Sequence, residues 1–152
     1  GLPAQYLELE ITESTIMQNA EEVIETLVLL KKMGVKLAVD DFGTGYSSLN
    51  YLKKFPIDLL KIDRAFVSNI TNDKVDGDIV TTIIMLAHSL GVKVIAEGVE
   101  TELQKKYLLG KKCDYMQGYY LGKPVPADEF EKEFLGINQA TIQIPPKNIT
   151  PS

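Results

Sequence analysis

The chain has 152 residues, 45% of them apolar and 24% charged, with a formal net charge of −5 and one cysteine. That length suits one domain able to bury a core, and the acidic balance argues against a nucleic-acid groove held by many Lys and Arg contacts. Cys113 alone cannot build a disulfide framework and points to a reducing cytoplasm, while no apolar run approaches the roughly 18 residues of a membrane span.

Along the chain, GLPAQYLELE lacks the basic start and apolar centre of a signal peptide. Residues 6–12 alternate, with Leu7, Leu9 and Ile11 on one face and Glu8 and Glu10 on the other, which predicts a strand. Ala20, Val23, Ile24, Leu27 and Leu30 recur at helical spacing, and Gly34 stands where a C-terminal cap belongs. A second strand is expected over 35–39, then a short helix over about 47–54 stopped by Pro56. The run DLLKI predicts a third strand over 58–62. Ile79, Ile83, Leu86 and Leu90 form the apolar stripe of a longer helix closed by Gly91. Residues 92–96 read as a fourth strand, Thr101 and Gln104 as a capping box, and the helix they open ends near Gly110. A fifth strand is expected over 115–121 and a last helix over 127–135; the Pro-rich remainder, 136–152, reads as an irregular tail.

Strands alternating with helices imply a parallel sheet with helical crossovers, either doubly wound or part of a β/α barrel. No G-x-G-x-x-G follows a strand, which weakens the nucleotide-fold reading. Charge decides between the two. Glu10, Asp40 with Asp41, Lys61 with Asp63, and Glu97 fall at the ends of successive strands, and Gln117 in the last. In a barrel those ends share the face where active sites are built. Carboxylates and one lysine converging there suit a hard cation such as Mg²⁺ or Mn²⁺, and a shared divalent ion would offset the cost of two adjacent aspartates. Against this, any single strand-end carboxylate is most often a helix cap or a solvated turn residue, and Asp40 or Asp41 alone could cap the helix near residue 47. That alternative suits Glu10 and Glu97 less well, because they extend apolar strands and no helix follows at once.

Other residues carry less. His88 reads as a packing or surface residue, which removes histidine-based acid–base schemes and zinc sites. Cys113 reads as buried rather than nucleophilic. Tyr119 and Tyr120 could stack on a base, although sheet packing is the stronger reading. The acceptor patterns at Asn69 and Asn148 mean nothing for a cytoplasmic protein.

Five segments in order, LELEITES (7–14), DDFGTGYSSL (40–49), FPIDLLKIDRAFV (55–67), VIAEGVE (94–100) and MQGYYLGKPV (116–125), closely resemble the EAL-domain cyclic di-GMP phosphodiesterases of bacteria. The resemblance implies a TIM-type barrel with one modified strand and metal-dependent hydrolysis of one phosphodiester of cyclic di-GMP to linear pGpG. It implies Glu10 and Asp40 as first-metal ligands, with Asp40 bridging to a second metal that Asp41 also binds. Lys61 resembles the residue that positions or polarises the attacking water, and Glu97 the base or second-metal ligand. Glu13 resembles the anchor of the loop Phe42, Gly43, Thr44 and Gly45 onward to residue 48. Glu100 and Gln117 match further pocket positions. The implied metal is Mg²⁺ or Mn²⁺, in a two-metal site, and the implied partner is cyclic di-GMP rather than a DNA or RNA polymer.

The chain also departs from that pattern. A full barrel takes roughly 250 residues and eight strands, whereas five strands are legible here. The Glu-Ala-Leu segment, the arginine after it and an asparagine metal ligand are absent. The expectation is therefore a partial barrel of five parallel strands over residues 1–135, the C-terminal portion of an EAL domain, inactive by itself and prone to self-association through its open edges. A cytoplasmic bacterial location, in a parent protein with upstream sensor or GGDEF domains or a membrane anchor, is compatible with this reading. The alternative is a cyclic di-GMP-binding or regulatory module without turnover.

Overall fold

The computed structural model describes residues 1–18, 20–43 and 49–134. The chain divides into two compact units, 1–122 and 123–152. In the first, five strands form one sheet in the order β1-β2-β3-β4-β5, every neighbouring pair parallel.

A short 3-10 turn, Ala4–Tyr6, precedes β1 (Glu8–Thr12). Its closing bonds, from Tyr6 N–H to Pro3 and from Leu7 N–H to Ala4, shorten the strand expected from residue 6. β1 runs into α1 (Glu13–Gln18), an unexpected helix, so Glu10 stands closer to a helix than its sequence suggested. Next come α2 (Ala20–Lys32), β2 (Lys36–Phe42), α3 (Leu49–Leu52) and β3 (Leu59–Ile62). A second unexpected helix, α4 (Arg64–Val67), is opened by Asp63, whose carboxylate accepts the Ala65 N–H at 2.7 Å. α5 (Lys74–Ser89), β4 (Lys93–Ala96), α6 (Glu102–Gly110) and β5 (Tyr115–Met116) complete the first unit. The capping box on α6 forms as expected: Thr101 accepts the Gln104 N–H at 3.2 Å, and the Gln104 amide oxygen accepts the Thr101 N–H at 2.9 Å. The second unit contributes α7 (Ala127–Phe134), so the expected end at Leu135 lies outside the described residues, as does the tail.

Two strand boundaries differ from expectation for physical reasons. β2 does not stop at Val39 but continues through both aspartates to Phe42, which is buried in the core and pairs with Ile62. β5 is two residues long rather than seven. After it the chain turns over the β4 loop, with Tyr120 N–H bonded to the Val99 carbonyl and Leu121 N–H to the Gly118 carbonyl. Gly118 permits this approach, since a Cβ there would lie 2.2 Å from the Val99 carbonyl oxygen. Tyr119 and Tyr120 consequently sit exposed on that turn, not packed in the sheet.

The alternation of strand residues sorts the sheet into two faces. Leu37, Val39, Leu60, Ile62, Val94 and Ala96 face the helices and join Leu27, Val80, Ile84, Ala87 and Leu108 in one core. The alternate residues, Glu10, Ala38, Asp40, Leu59, Lys61 and Ile95, fall on the opposite face. Among the described residues β1 and β5 are the sheet edges.

The start of the sheet is pinned by a device used twice. Asp58, just before β3, accepts the Leu37 N–H of β2 at 2.8 Å and pairs with Lys31. Asp114, just before β5, accepts the Val94 N–H of β4 at 3.0 Å and pairs with Lys93 and His88. His88 is thus a surface partner of Asp114 at the N-terminal side of the strands, away from the strand ends that carry the acidic cluster.

Candidate active site

Glu10, Asp40 and Lys61 stand near the C-terminal ends of β1, β2 and β3, and Glu97 follows β4 at once, its N–H bonded to the Ile62 carbonyl at 3.1 Å. Parallel strands in consecutive order bring these four residues to one place. The Lys61 Nζ donates to Glu10 Oε2 at 2.8 Å, Asp40 Oδ1 at 3.1 Å and Glu97 Oε1 at 2.8 Å. The lysine is buried, with 7% of its surface exposed, whereas its carboxylates lie progressively nearer solvent. Burial by itself would push the ammonium's pKa down, but the hydrogen bonds to Glu10, Glu97 and Asp40 outweigh it and hold the pKa well above the ordinary lysine value. Lys61 therefore stays protonated at neutral pH and serves as a fixed cation and donor.

The strand carrying the aspartates is irregular where they stand. Asp41 adopts a φ of +54°, in the left-handed region, and the register of β2 against β3 shifts between Val39 and Phe42. This is a bulge, and bulges re-aim side chains beside active sites. Partial burial raises the Asp41 pKa first; the negative charges of Asp40 and Asp63 and a hydrogen bond with Asp63 raise it further, and Lys61 offsets part of this. Asp63 thus belongs to the acidic cluster as well as capping α4.

Glu13, at the first position of α1, is 2% exposed and its Oε2 accepts the Gly43 N–H at 2.8 Å. A carboxylate so buried demands partners, and this bond ties α1 to the chain leaving β2. Phe42 belongs to the core rather than to that loop. Thr44 and Gly45 lie outside the described residues.

Beside the cluster, a half-open cavity of about 190 Å³ is lined by Arg64, Glu97, Gly98, Glu100, Gln117 and Tyr119. Gln117 comes just after β5 instead of within it, its backbone bonded to both Ala96 and Val99. Glu100 pairs with Arg64 at 2.7 Å. Sequence reasoning passed over Arg64, because only the loop geometry after β3 and β4 brings it to Glu100. Cys113 is buried; burial pushes its thiol up to about 11, which makes it a poor nucleophile at neutral pH.

The donor chemistry fits a hard divalent cation: carboxylate oxygens only, at the open side of a sheet. Their charge fits too, since a single ammonium faces the three carboxylates of Glu10, Asp40 and Glu97. Among the described residues no three acidic, His or Cys groups already surround a common point at metal-ligand spacing; they surround the Lys61 ammonium instead.

The comparisons with known proteins agree with one another. The family model described as EAL domain matches residues 1–124. MucR of Pseudomonas aeruginosa, a bifunctional diguanylate cyclase/cyclic di-GMP phosphodiesterase, is 47% identical over 129 residues, 85% of this chain and 19% of that protein. The solved structure of the PaMucR phosphodiesterase in complex with c-di-GMP superposes with a TM-score of 0.83 at 46% identity, over 85% of this chain and 52% of that one. A manganese/cyclic di-GMP complex of BlrP1 from Klebsiella pneumoniae superposes with a TM-score of 0.72 at 34% identity, over 78% of this chain and 30% of that one. The chain spans less than a fifth of the length of curated relatives such as MucR.

Proposed function

The chain belongs to the EAL-domain family, with the five-stranded part of its barrel, and from that premise we propose that it carries the catalytic carboxylates of a metal-dependent cyclic di-GMP phosphodiesterase. The observation that supports this reading is the convergence of Glu10, Asp40 and Glu97 on the Lys61 ammonium at 2.8–3.1 Å. The reaction adds one water across a P–O3′ bond of cyclic di-GMP, leaving the 5′-phosphate and 3′-hydroxyl of linear pGpG.

In this reading Glu10, Asp40, Asp41 and Glu97 would hold the divalent ions, Mg²⁺ or Mn²⁺. When bound, the ions supply charge neutralisation and lower the pKa of the attacking water. Lys61, protonated, fixes the three carboxylates and places a positive charge beside the attacking water, which it helps to position and polarise. Glu97 is the carboxylate suited to take the proton that water loses. Glu13 holds the start of the loop after β2 through Gly43, and Gln117 and Glu100 line the cavity beside the reacting group. The 152 residues lack the Glu-Ala-Leu segment, so we propose that they are inactive by themselves and associate through the β1 and β5 edges.

The test is to incubate this chain, and a form extended toward the N-terminus, with cyclic di-GMP and Mg²⁺ or Mn²⁺. The expected result is pGpG from the extended form, its production abolished by Asp40→Asn, with none from the chain alone. Undiminished turnover by the Asp40→Asn variant would sink the assignment. Binding of cyclic di-GMP by the extended form without any pGpG would favour a second reading, a binding or regulatory module.

A further inference from the structure

Arg64 is the first residue of α4, three residues beyond Lys61 at the end of β3, and its side chain crosses to the loop that follows β4. Its Nη2 donates to Glu100 Oε1 at 2.7 Å. Its stem covers Gly98, where a Cβ would fall 2.3 Å from the Arg64 Cγ and 2.9 Å from both its Cβ and Cδ. Gly98 also has a φ of +71°, a conformation that L side chains rarely adopt. One side chain therefore grips the segment from Glu97 to Glu100 twice, by steric contact at its middle and by an ion pair at its end. Glu97 at the start of that segment bonds Lys61 at 2.8 Å.

From this we infer that Arg64 is a positioning residue: it clamps the β4 loop against α4 and thereby sets Glu97 on Lys61 and Glu100 at the cavity rim. The ion pair is solvent-exposed, with 66% and 46% of the two side chains accessible, and by itself contributes little. The packing of the stem on Gly98 is the larger part of the clamp. A residue held this way acts through Glu97, and misplacing a reacting group by an ångström can cost about 10²-fold in rate.

The inference rests on the phosphodiesterase reading for its kinetic arm only. In the 152-residue chain, amide hydrogen exchange at Gly98, Val99 and Glu100 should rise about tenfold in Arg64→Ala. Arg64→Met, which keeps the stem, and Arg64→Lys, which also keeps a charge, should return it progressively toward the original rate. In the N-terminally extended form with cyclic di-GMP and Mn²⁺, Arg64→Ala should lower kcat about tenfold with KM unchanged, as expected when a positioned group is displaced, and Arg64→Lys should recover most of it. Circular dichroism melting guards against a variant that fails to fold, and Arg64→Ser, which likewise lacks the Cγ–Cδ stem, serves where Arg64→Ala does not. Exchange unchanged in Arg64→Ala, or a raised KM with kcat intact, overturns the inference, the latter because Arg64 would then touch substrate itself. If the extended wild type yields no pGpG, the phosphodiesterase reading has failed, and the exchange arm still decides the role of Arg64.

Discussion

Replacing Lys61 by Met removes one charge, keeps a stem of similar length, and leaves three carboxylates facing one another. At an effective dielectric of about 20, each contact at about 3 Å corresponds to a gross attraction of about 6 kcal/mol. Most of that is offset by the cost of burying the ammonium, so the measurable quantity is the penalty for stranding its partners. For a fully buried pair that penalty is about 3–5 kcal/mol. Glu10 is 48% accessible and can rehydrate, whereas Asp40 and Glu97 are 24% and 22% accessible and can do so only in part. The expected loss therefore sits at the lower end, about 3 kcal/mol, or roughly 6–12 °C in Tm for a chain of this size. The chain has no tryptophan, so melting should be followed by circular dichroism. Adding millimolar Mg²⁺ should recover stability in Lys61→Met more than in the wild type, because the stranded carboxylates need a cation. A Tm within about 1 °C of wild type, equally insensitive to Mg²⁺, would refute the claim that the ammonium holds the carboxylates together.

Three further outcomes follow from the same structure. Glu13→Ala removes the acceptor of the Gly43 N–H and should cost about 2 kcal/mol by urea denaturation, with Glu13→Gln milder because an amide oxygen can still accept. Asp114 has its pKa lowered: burial alone would raise it, but hydrogen bonds from Lys93, His88 and the Val94 N–H outweigh that. A depressed carboxylate contributes stability that is present above its ordinary value of 3.8 and is lost as pH falls through its folded value. Stability of the wild type should therefore fall more steeply below about pH 4 than that of Asp114→Asn, which should already have lost about 1–2 kcal/mol at neutral pH. Gly118→Ala drives a Cβ into the Val99 backbone; it should cost about 3 kcal/mol and expose the β4 loop amides to exchange.

Much of this site was legible because its logic is periodic. Glu10, Asp40, Asp41, Lys61 and Glu97 each stand at or near the end of an apolar run, and consecutive parallel strands bring those ends to one side of the sheet. What stayed hidden depends on backbone departures from regularity. The early end of β5 follows from the Gly118–Val99 approach, a tertiary contact with no local signal. Arg64 meets Glu100 across 36 residues of sequence through two loops. The short helices α1 and α4 are too brief to show an apolar stripe, although Asp63 with a bond to Ala65 is a capping pattern that could have marked the second.

The adjacent aspartates show how one local irregularity serves both core and site. In a regular strand, Val39 facing the core would send Asp40 to the opposite face and Asp41 back into the apolar core, where an ionised carboxylate is costly. The structure instead buries Val39 and Phe42 with two residues between them, and takes up the extra residue in a bulge with Asp41 at a φ of +54°. Both carboxylates are thereby kept off the core face and drawn toward Lys61 and Asp63. A non-glycine residue in that conformation is strained, and its raised pKa marks a second cost, from desolvation first and from repulsion by Asp40 and Asp63 after it. Both costs oppose folding, and a cation shared between the pair would offset the electrostatic one. The strain therefore makes sense as part of the site's chemistry, because stability alone would favour deleting one aspartate and straightening the strand.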